Sequence, residues 1–220
     1  MESNLKEIDY QYVNAPGDGA CLFNSICQCV HLDEYIKSNE GQNFTYKLPN
    51  KDLKKGSLEL RNESIKWLRE NLNFLIPIIK TTIKEEIQDS IDSDILPNRV
   101  NSINKYLDYM EKQQSYGGQV EIIALSHVLN RNINVYKSGN DYEDTGLGFI
   151  INKNVQDSNI YLFHNVNETK SAGLHHFDLL YPIERALIVP KARYNSLDTP
   201  KKKAPTPVSG KKDISESSDS

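Results

Sequence analysis

Cysteine is scarce in this sequence, and long apolar runs are absent. The 220 residues include three cysteines, Cys21, Cys27 and Cys29, all within nine positions of one another. A disulfide among them could not join distant parts of a fold, so we expect reduced thiols and an intracellular, most simply cytoplasmic, setting. The chain opens MESNLKEIDY and has no run of 18 apolar residues, so we expect neither a signal segment nor a membrane span.

Motifs for metals, nucleotides and nucleic acids are also lacking. Cys27 and Cys29 have a spacing that points them apart on a helix, so we interpret them as small buried apolar residues and expect no metal. The Gly-x-Gly at Gly17 lacks the third glycine and the strand–helix context of a dinucleotide site, so no cofactor is expected. The formal net charge of −4 gives no overall reason to expect nucleic acid binding.

The composition suits one domain followed by a tail. Hydrophobic residues make up 38% and charged residues 25% of the chain, enough apolar surface for a real core. Beyond Pro190 lysine, serine, proline and threonine dominate, so we expect residues 1–190 to form the domain and 191–220 to be disordered. A nuclear address or nucleic-acid contact is the alternative for the lysines at 201–203, and a solvated end is favoured.

Helical patterns fill the first half of the chain, and strand patterns follow. Apolar spacing predicts helices over 21–32, 58–75, 79–91, 99–113 and, mostly buried, 119–130. Alternation predicts strands over 132–136, 148–151, 160–163 and 175–181, with an extended segment at 9–15 and a long loop over 34–55. The order favours an α/β (α+β) domain with a small sheet packed among helices and the Cys21 helix at its centre.

A candidate nucleophile lies near the N-terminus. Gly17-Asp18-Gly19-Ala20 is a predicted tight turn, and Cys21 follows it at the start of an apolar helix. A thiol at a helix N-terminus faces backbone N–H groups and the positive end of the dipole, which both stabilise thiolate. Taken alone, however, such a turn is more often only a turn.

His176 is the best candidate for a base. Asp178 stands two residues on, and residues i and i+2 of a strand share a face, so the carboxylate could accept the Nδ1–H and fix the tautomer. The other histidines are poorer candidates: His175 would point the opposite way, His127 lies on the buried helix as a packed residue, and His31 and His164 have no comparable orienting neighbour in the sequence.

Three blocks in this order resemble the ovarian tumour (OTU) family of cysteine proteases: GDGACLFNSI, YMEKQQSYGGQVEIIALSHVLNRNINVY and HHFDLLYP. LRNESIKWLREN lies between the first two, and the resemblance spans residues 9–182. It implies a papain-like OTU fold and thiol-dependent hydrolysis at the C-terminal glycine of ubiquitin, without a metal or organic cofactor.

The resemblance also implies roles for particular residues. Cys21 matches the nucleophile, His176 the general base and Asp178 the residue that orients it. Asp18 matches the acidic residue of the cysteine loop, whose backbone helps to form the oxyanion hole. Tyr116-Gly117-Gly118 and Glu121 match a structural block. Two departures, Ala20 where asparagine is common and Tyr116 where tryptophan is common, affect substrate detail rather than catalysis.

The implied partner is ubiquitin or a polyubiquitin chain, with no nucleic acid and no membrane. For a pathogen's protein, the setting would be the host cytosol. Two other functions stay open: a non-catalytic ubiquitin-binding module on the same fold, and a cysteine protease acting on another modifier. The loop at 34–55 and the helices over 58–113 could contact ubiquitin, although a plain structural role is at least as favoured.

Overall fold

A computed structural model describes residues 10–38, 48–77, 79–93, 96–137, 159–165 and 176–182. The elements within these ranges, in chain order, are β1 (Tyr10–Val13), α1 (Cys21–Ser38), α2 (Asn50–Glu70), α3 (Ile83–Asp92), α4 (Ile103–Met110), α5 (Gln119–Leu129), β2 (Ile133–Lys137), β3 (Ile160–Asn165) and β4 (His176–Pro182). The predicted α+β class, with helices before most of the strands, is confirmed.

The described strands form one mixed sheet in the order β1-β4-β3-β2. β4 is antiparallel to both of its neighbours, whereas β2 and β3 run parallel. In this register Val13 pairs with Leu179, so the chain leaving β1 passes directly beside the first residues of β4. The first and last of the described strands thereby meet next to the start of α1.

α1 is the central helix, as predicted. It contacts β3 and β4 on one side and α2 on the other. Leu22, Phe23 and Ile26 are fully buried, and Phe177 and Leu179 of β4 lie in the same core. A helix enclosed by a sheet and another helix needs apolar residues around most of its circumference, which accounts for the broad apolar face of its first turns.

The predicted boundaries are wrong around the long loop. α1 continues to Ser38 and α2 begins at Asn50, so much of the segment predicted as a loop over 34–55 is helical, and residues 39–47 lie outside the described ranges. The helical parts are mostly polar, but Ile36 and Leu53 are buried. A few isolated apolar side chains are enough to hold a helix against the core. They are too few to produce a recognisable helical period in the sequence.

Caps shorten two other predicted helices. Thr82 begins α3 with a capping box, in which its backbone N–H donates to Glu85 Oε2 at 2.7 Å. The Ser102 hydroxyl accepts from the N–H of Lys105, so α4 starts at Ile103 rather than at residue 99.

Three predictions fall outside the described residues: the strand at 148–151, the position of His175 and the disordered tail at 191–220. Within the described ranges, every helix is too short or too polar to cross a membrane.

Candidate active site

Cys21 is the first residue of α1, as the turn before it predicts, and only 2% of it is exposed. Burial raises the pKa of its thiol, hydrogen bonds with the backbone of Phe177 and Leu22 partly oppose that rise, and the charges of Asp178 and Asp18 add to it. The backbone contact with Leu22 at the helix N-terminus lowers the pKa, as predicted, but desolvation of the charged form outweighs it.

The side chain of Asp18 builds the turn before Cys21. Its Oδ1 accepts from the N–H of Ala20 and from Nδ2 of Asn24, both at 3.1 Å. Gly19, between them, has φ +86°, a left-handed conformation that glycine adopts without strain. The carboxylate thus joins the turn to the first turn of α1 and engages the N–H of Ala20.

His176 and Asp178 face each other on one side of β4, as their spacing predicts. Nε2 of His176 lies 3.0 Å from Oδ1 of Asp178. The aspartate side chain is 3% exposed and that of the histidine 21%. The sequence predicts that Nδ1–H of His176 binds Asp178, and that prediction is wrong. Residues i and i+2 of a strand are about 6.6 Å apart. Nε2 lies farther from the backbone than Nδ1, so it can span that distance. Nδ1 is the ring nitrogen that does not face Asp178.

Asp178 also binds the segment that leads to Cys21. Its Oδ1 accepts from the N–H of Ala15 at 2.7 Å, and its Oδ2 accepts a short hydrogen bond from the hydroxyl of Tyr12. Sequence reasoning missed Tyr12 and Ala15, although the alternation of Tyr10 and Tyr12 in β1 is a usable signal. One carboxylate therefore contacts both the imidazole and the entry to the cysteine turn.

Phe177 connects the thiol to this pair. Its backbone hydrogen-bonds with Cys21, and its carbonyl accepts from the hydroxyl of Ser25 at 3.0 Å. Because Phe177 stands between His176 and Asp178 in β4, the thiol lies beside the strand that carries both. Of the four residues predicted for the site, His176 contacts Asp178, and the charges of Asp178 and Asp18 both raise the pKa of Cys21.

The other cysteines and histidines of the described ranges have structural surroundings. Cys27 and Cys29 are 2% and 1% exposed, and burial raises the pKa of Cys27 to about 11. The ring of His127 stacks on Trp67 with centroids 4.5 Å apart, which confirms it as a packed residue. His31 lies 3.9 Å from Glu34, and His164 stacks on Phe177 at 4.6 Å.

The block formed by Tyr116-Gly117-Gly118 and Glu121 has a structural role, and the side chain of Tyr116 is its exposed part. Glu121 is buried and accepts from the N–H of Gly118 at 2.8 Å and from the hydroxyl of Tyr106 at 2.9 Å. Tyr116 itself is 39% exposed. Across the described residues, no group of three or more His, Cys, Asp or Glu side chains could hold a metal ion.

Comparison with known proteins identifies relatives of this chain. The family model described as OTU-like cysteine protease matches residues 16–172. Putative ubiquitin thioesterase 232R of Invertebrate iridescent virus 3 is 26% identical over 163 residues. That alignment covers 69% of this chain and 16% of the viral protein, so the chain spans a small part of that relative's length.

Solved structures resemble the chain more distantly. An OTU deubiquitinase from Wolbachia pipientis wMel bound to ubiquitin has a TM-score of 0.46 at 15% identity, covering 80% of this chain and 98% of that one. The viral OTU domain protease from Farallon virus gives 0.46 at 15% identity, covering 80% and 85%.

The family match extends over well more than half of the chain and includes the turn and the thiol, although it ends before His176. The chain belongs to the family of OTU-like cysteine proteases.

Proposed function

We propose that this chain is a deubiquitinase that hydrolyses the isopeptide bond between the C-terminal glycine of ubiquitin and a lysine amine. Membership of a cysteine protease family supports the reaction class. The name of the viral relative, a ubiquitin thioesterase, supports ubiquitin as the substrate. The observation that carries the proposal is the pairing of His176 with buried Asp178 on the strand whose backbone hydrogen-bonds with the Cys21 thiol.

In this mechanism the thiol of Cys21 transfers its proton to Nδ1 of His176 and attacks the carbonyl carbon of the terminal glycine. Asp178 holds Nε2–H and stabilises the imidazolium. Collapse of the tetrahedral intermediate breaks the C–N bond, and the imidazolium returns the proton to the leaving lysine amine. Water activated by the same imidazole then hydrolyses the thioester. The chemistry uses no cofactor.

Backbone N–H groups of the turn over 18–21 would hold the developing oxyanion. The N–H of Ala20 already donates to Asp18, so we assign the binding of the oxyanion to the N–H groups of its neighbours in the turn. In this proposal the carboxylate of Asp18 shapes the oxyanion site and does not touch substrate. Loss of one such donor costs about 3 kcal/mol of transition-state stabilisation.

The proposed setting is a reducing one, with ubiquitin or polyubiquitin as the partner. None of the three cysteines forms a disulfide. A cysteine nucleophile works only in that state, which favours the cytosol of the producing cell, or of a host cell, as the place of action.

A ubiquitin probe with a C-terminal electrophile tests the proposal. We expect the wild-type chain to form a covalent adduct that peptide mass mapping locates at Cys21, and to cleave di-ubiquitin. Cys21→Ala should abolish both. Cys27→Ala and Cys29→Ala are matched controls, because both thiols are buried in the same helix and should leave labelling unchanged.

The same experiment separates the other functions. Reversible ubiquitin binding without an adduct would indicate a non-catalytic module. An adduct with a probe built on a different modifier, and none with ubiquitin, would indicate another substrate. Cleavage of ubiquitin chains by the Cys21→Ala protein would overturn the assignment of the nucleophile.

A further inference from the structure

Arg61 is the largest fully buried side chain among the described residues. It belongs to the block LRNESIKWLREN, but neither the resemblance nor the proposed mechanism gives it a role. It lies in the middle of α2 and is 1% exposed. Burial lowers the pKa of its guanidinium to about 10, while the negative charges of Glu121 and Asp18 partly oppose that change. A buried charge is costly, so its retention calls for a function or a complete set of partners.

Its partners are mostly backbone oxygens of one segment, residues 110–115. Nη1 donates to the Met110 carbonyl and the Ser115 hydroxyl, both at 2.8 Å. Nη2 donates to the carbonyls of Ser115 at 2.8 Å and Gln113 at 3.2 Å. Within the described ranges these bonds go to neutral oxygens rather than to a carboxylate. The N–H groups of Nη1 and Nη2, fixed in one rigid plane, therefore hold the shape of this segment.

That segment packs directly against the turn before the nucleophile. A Cβ added at Gly19 would lie 2.4 Å from the carbonyl oxygen of Gln114. A Cβ at Gly117 would lie 2.7 Å from Cδ2 of Leu22. The backbone of 114–117 thus touches the chain on both sides of Cys21, so a shift of this segment must shift the turn.

Arg61 also contacts the nucleophile segment itself. Nη2 lies 3.5 Å from the carbonyl oxygen of Gly19, and the guanidinium lies 4.1 Å from the centre of the Phe23 ring. The peptide between Gly19 and Ala20 is therefore held at both ends, its carbonyl by Arg61 and its N–H by Asp18.

We propose that Arg61 is a positioning residue for the oxyanion turn, which it holds both by direct contact with Gly19 and through the segment 110–115. The inference rests on the proposed hydrolytic function. The guanidinium touches no reacting atom. It fixes the Gly19–Ala20 peptide and so sets the direction of the adjoining peptide planes, whose N–H groups on Gly19 and Cys21 receive the oxyanion. A small misplacement of such donors lowers the rate of the chemical step and leaves substrate binding largely intact.

The test compares Arg61→Gln and Arg61→Lys with Arg69→Gln. Arg69 is a matched control because it lies on the same helix and pairs with Asp108 and Glu111 at the partly exposed surface. For Arg61→Gln we expect kcat to fall about 100-fold with KM changed less than about threefold, measured where each variant is folded. Arg61→Lys should lose activity as well, because an ammonium cannot replace the planar fork. Arg69→Gln should match wild type.

Two further readouts separate positioning from simple loss of stability. Amide exchange over residues 17–21 should rise about tenfold or more in Arg61→Gln and stay unchanged in Arg69→Gln. Alkylation of Cys21 by iodoacetamide, which forms no oxyanion, should change less than about threefold. If Arg61→Gln does not fold, Ser115→Ala serves instead, because it removes one acceptor and should produce a smaller fall in kcat of the same kind.

The outcomes are distinct. Unchanged kcat and exchange in folded Arg61→Gln would overturn the inference. The inference would also be overturned if kcat and the rate of Cys21 alkylation fell equally, in proportion to the fraction of protein that is folded. A wild-type chain that hydrolyses no ubiquitin conjugate overturns the proposed function instead, and exchange over 17–21 still decides whether Arg61 holds the turn.

Discussion

At the scale of single residues, Asp178 has more contacts than its proposed role requires. It receives hydrogen bonds from the backbone of Ala15 and the hydroxyl of Tyr12 in addition to facing His176. A buried carboxylate needs several donors to offset its lost hydration. The same bonds that satisfy the charge also fix the chain that leads from β1 to the cysteine turn.

Tyr12→Phe should destabilise the protein because it removes one of these donors. Tyr12 is 45% exposed, so water can partly replace the hydroxyl, and we expect a loss of about 1 kcal/mol in the free energy of unfolding. That corresponds to a fall in Tm of about 2–4 °C for a chain of this size. Turnover should fall with it, since the carboxylate that orients His176 is less constrained.

Tyr136→Phe is the control for this change. Tyr136 stacks on Tyr161 in the same sheet, and within the described residues its hydroxyl makes no hydrogen bond. An equal loss of stability in both variants would show that the phenol ring, rather than the bond to Asp178, accounts for the effect.

The pH dependence of Cys21 is a second residue-scale prediction. Burial holds its pKa above the ordinary value of 9.0, so without a basic partner little thiolate forms at neutral pH. In His176→Gln, alkylation of Cys21 by iodoacetamide should rise about tenfold per pH unit to beyond pH 9. Wild type should react faster than this variant at pH 7, because His176 accepts the proton.

His127→Gln is the control, since that ring packs on Trp67 and the change should leave the wild-type profile intact. The rate of adduct formation is followed by mass spectrometry from pH 6 to 10. A plateau below pH 8 in His176→Gln would contradict the raised pKa.

At the scale of elements, α1 and α2 are close enough to require a glycine between them. A Cβ on Gly56 would lie 2.6 Å from Sγ of Cys27 and 3.3 Å from Nε2 of His31. Glycine in a helix interior costs about 1 kcal/mol relative to alanine. The close approach of the two helices offsets that cost, and α1, with the candidate nucleophile at its first residue, is thereby held against α2.

Gly56→Ala should therefore be destabilising despite the better helix propensity. Overpacking costs about 1–3 kcal/mol, which exceeds the gain of about 1 kcal/mol in propensity. In a Cys27→Ala background the obstructing sulfur is absent, and the same substitution should become stabilising by up to about 1 kcal/mol. Urea unfolding of the four proteins in this cycle measures both effects. Stabilisation of equal size in both backgrounds would contradict the packing argument.

The elements also show what can be predicted from pattern alone. The helix at 119–129 and the strand at 133–137 lie where their dense apolar runs predict them. The ends of α1 and α2 do not, because Ile36 and Leu53 are isolated apolar residues among polar ones. Arg61 resembles a surface residue of an amphipathic helix in the sequence, and only the packing of 110–115 over it reveals its burial.

At the scale of the whole molecule, the topology assembles the candidate site from the two ends of the fold. β1 and β4 are neighbours in the sheet although most of the chain separates them. Their pairing places Val13 opposite Leu179, and the turn before Cys21 therefore begins beside Asp178. α2 and the segment 110–115 close the opposite side of the turn through Arg61. The site is thus enclosed from both sides by elements distant in sequence.

The sequence by itself determined the candidate reacting groups and the local order of elements. A turn followed by an apolar helix, and a His-x-Asp alternation in a strand, are local features that neighbouring residues specify. Only the tertiary structure decided which nitrogen of His176 faces Asp178, that burial of Cys21 raises its thiol pKa, and that Tyr12 and Arg61 contact the site. These depend on distances and desolvation between segments far apart in the chain, and no local pattern encodes them.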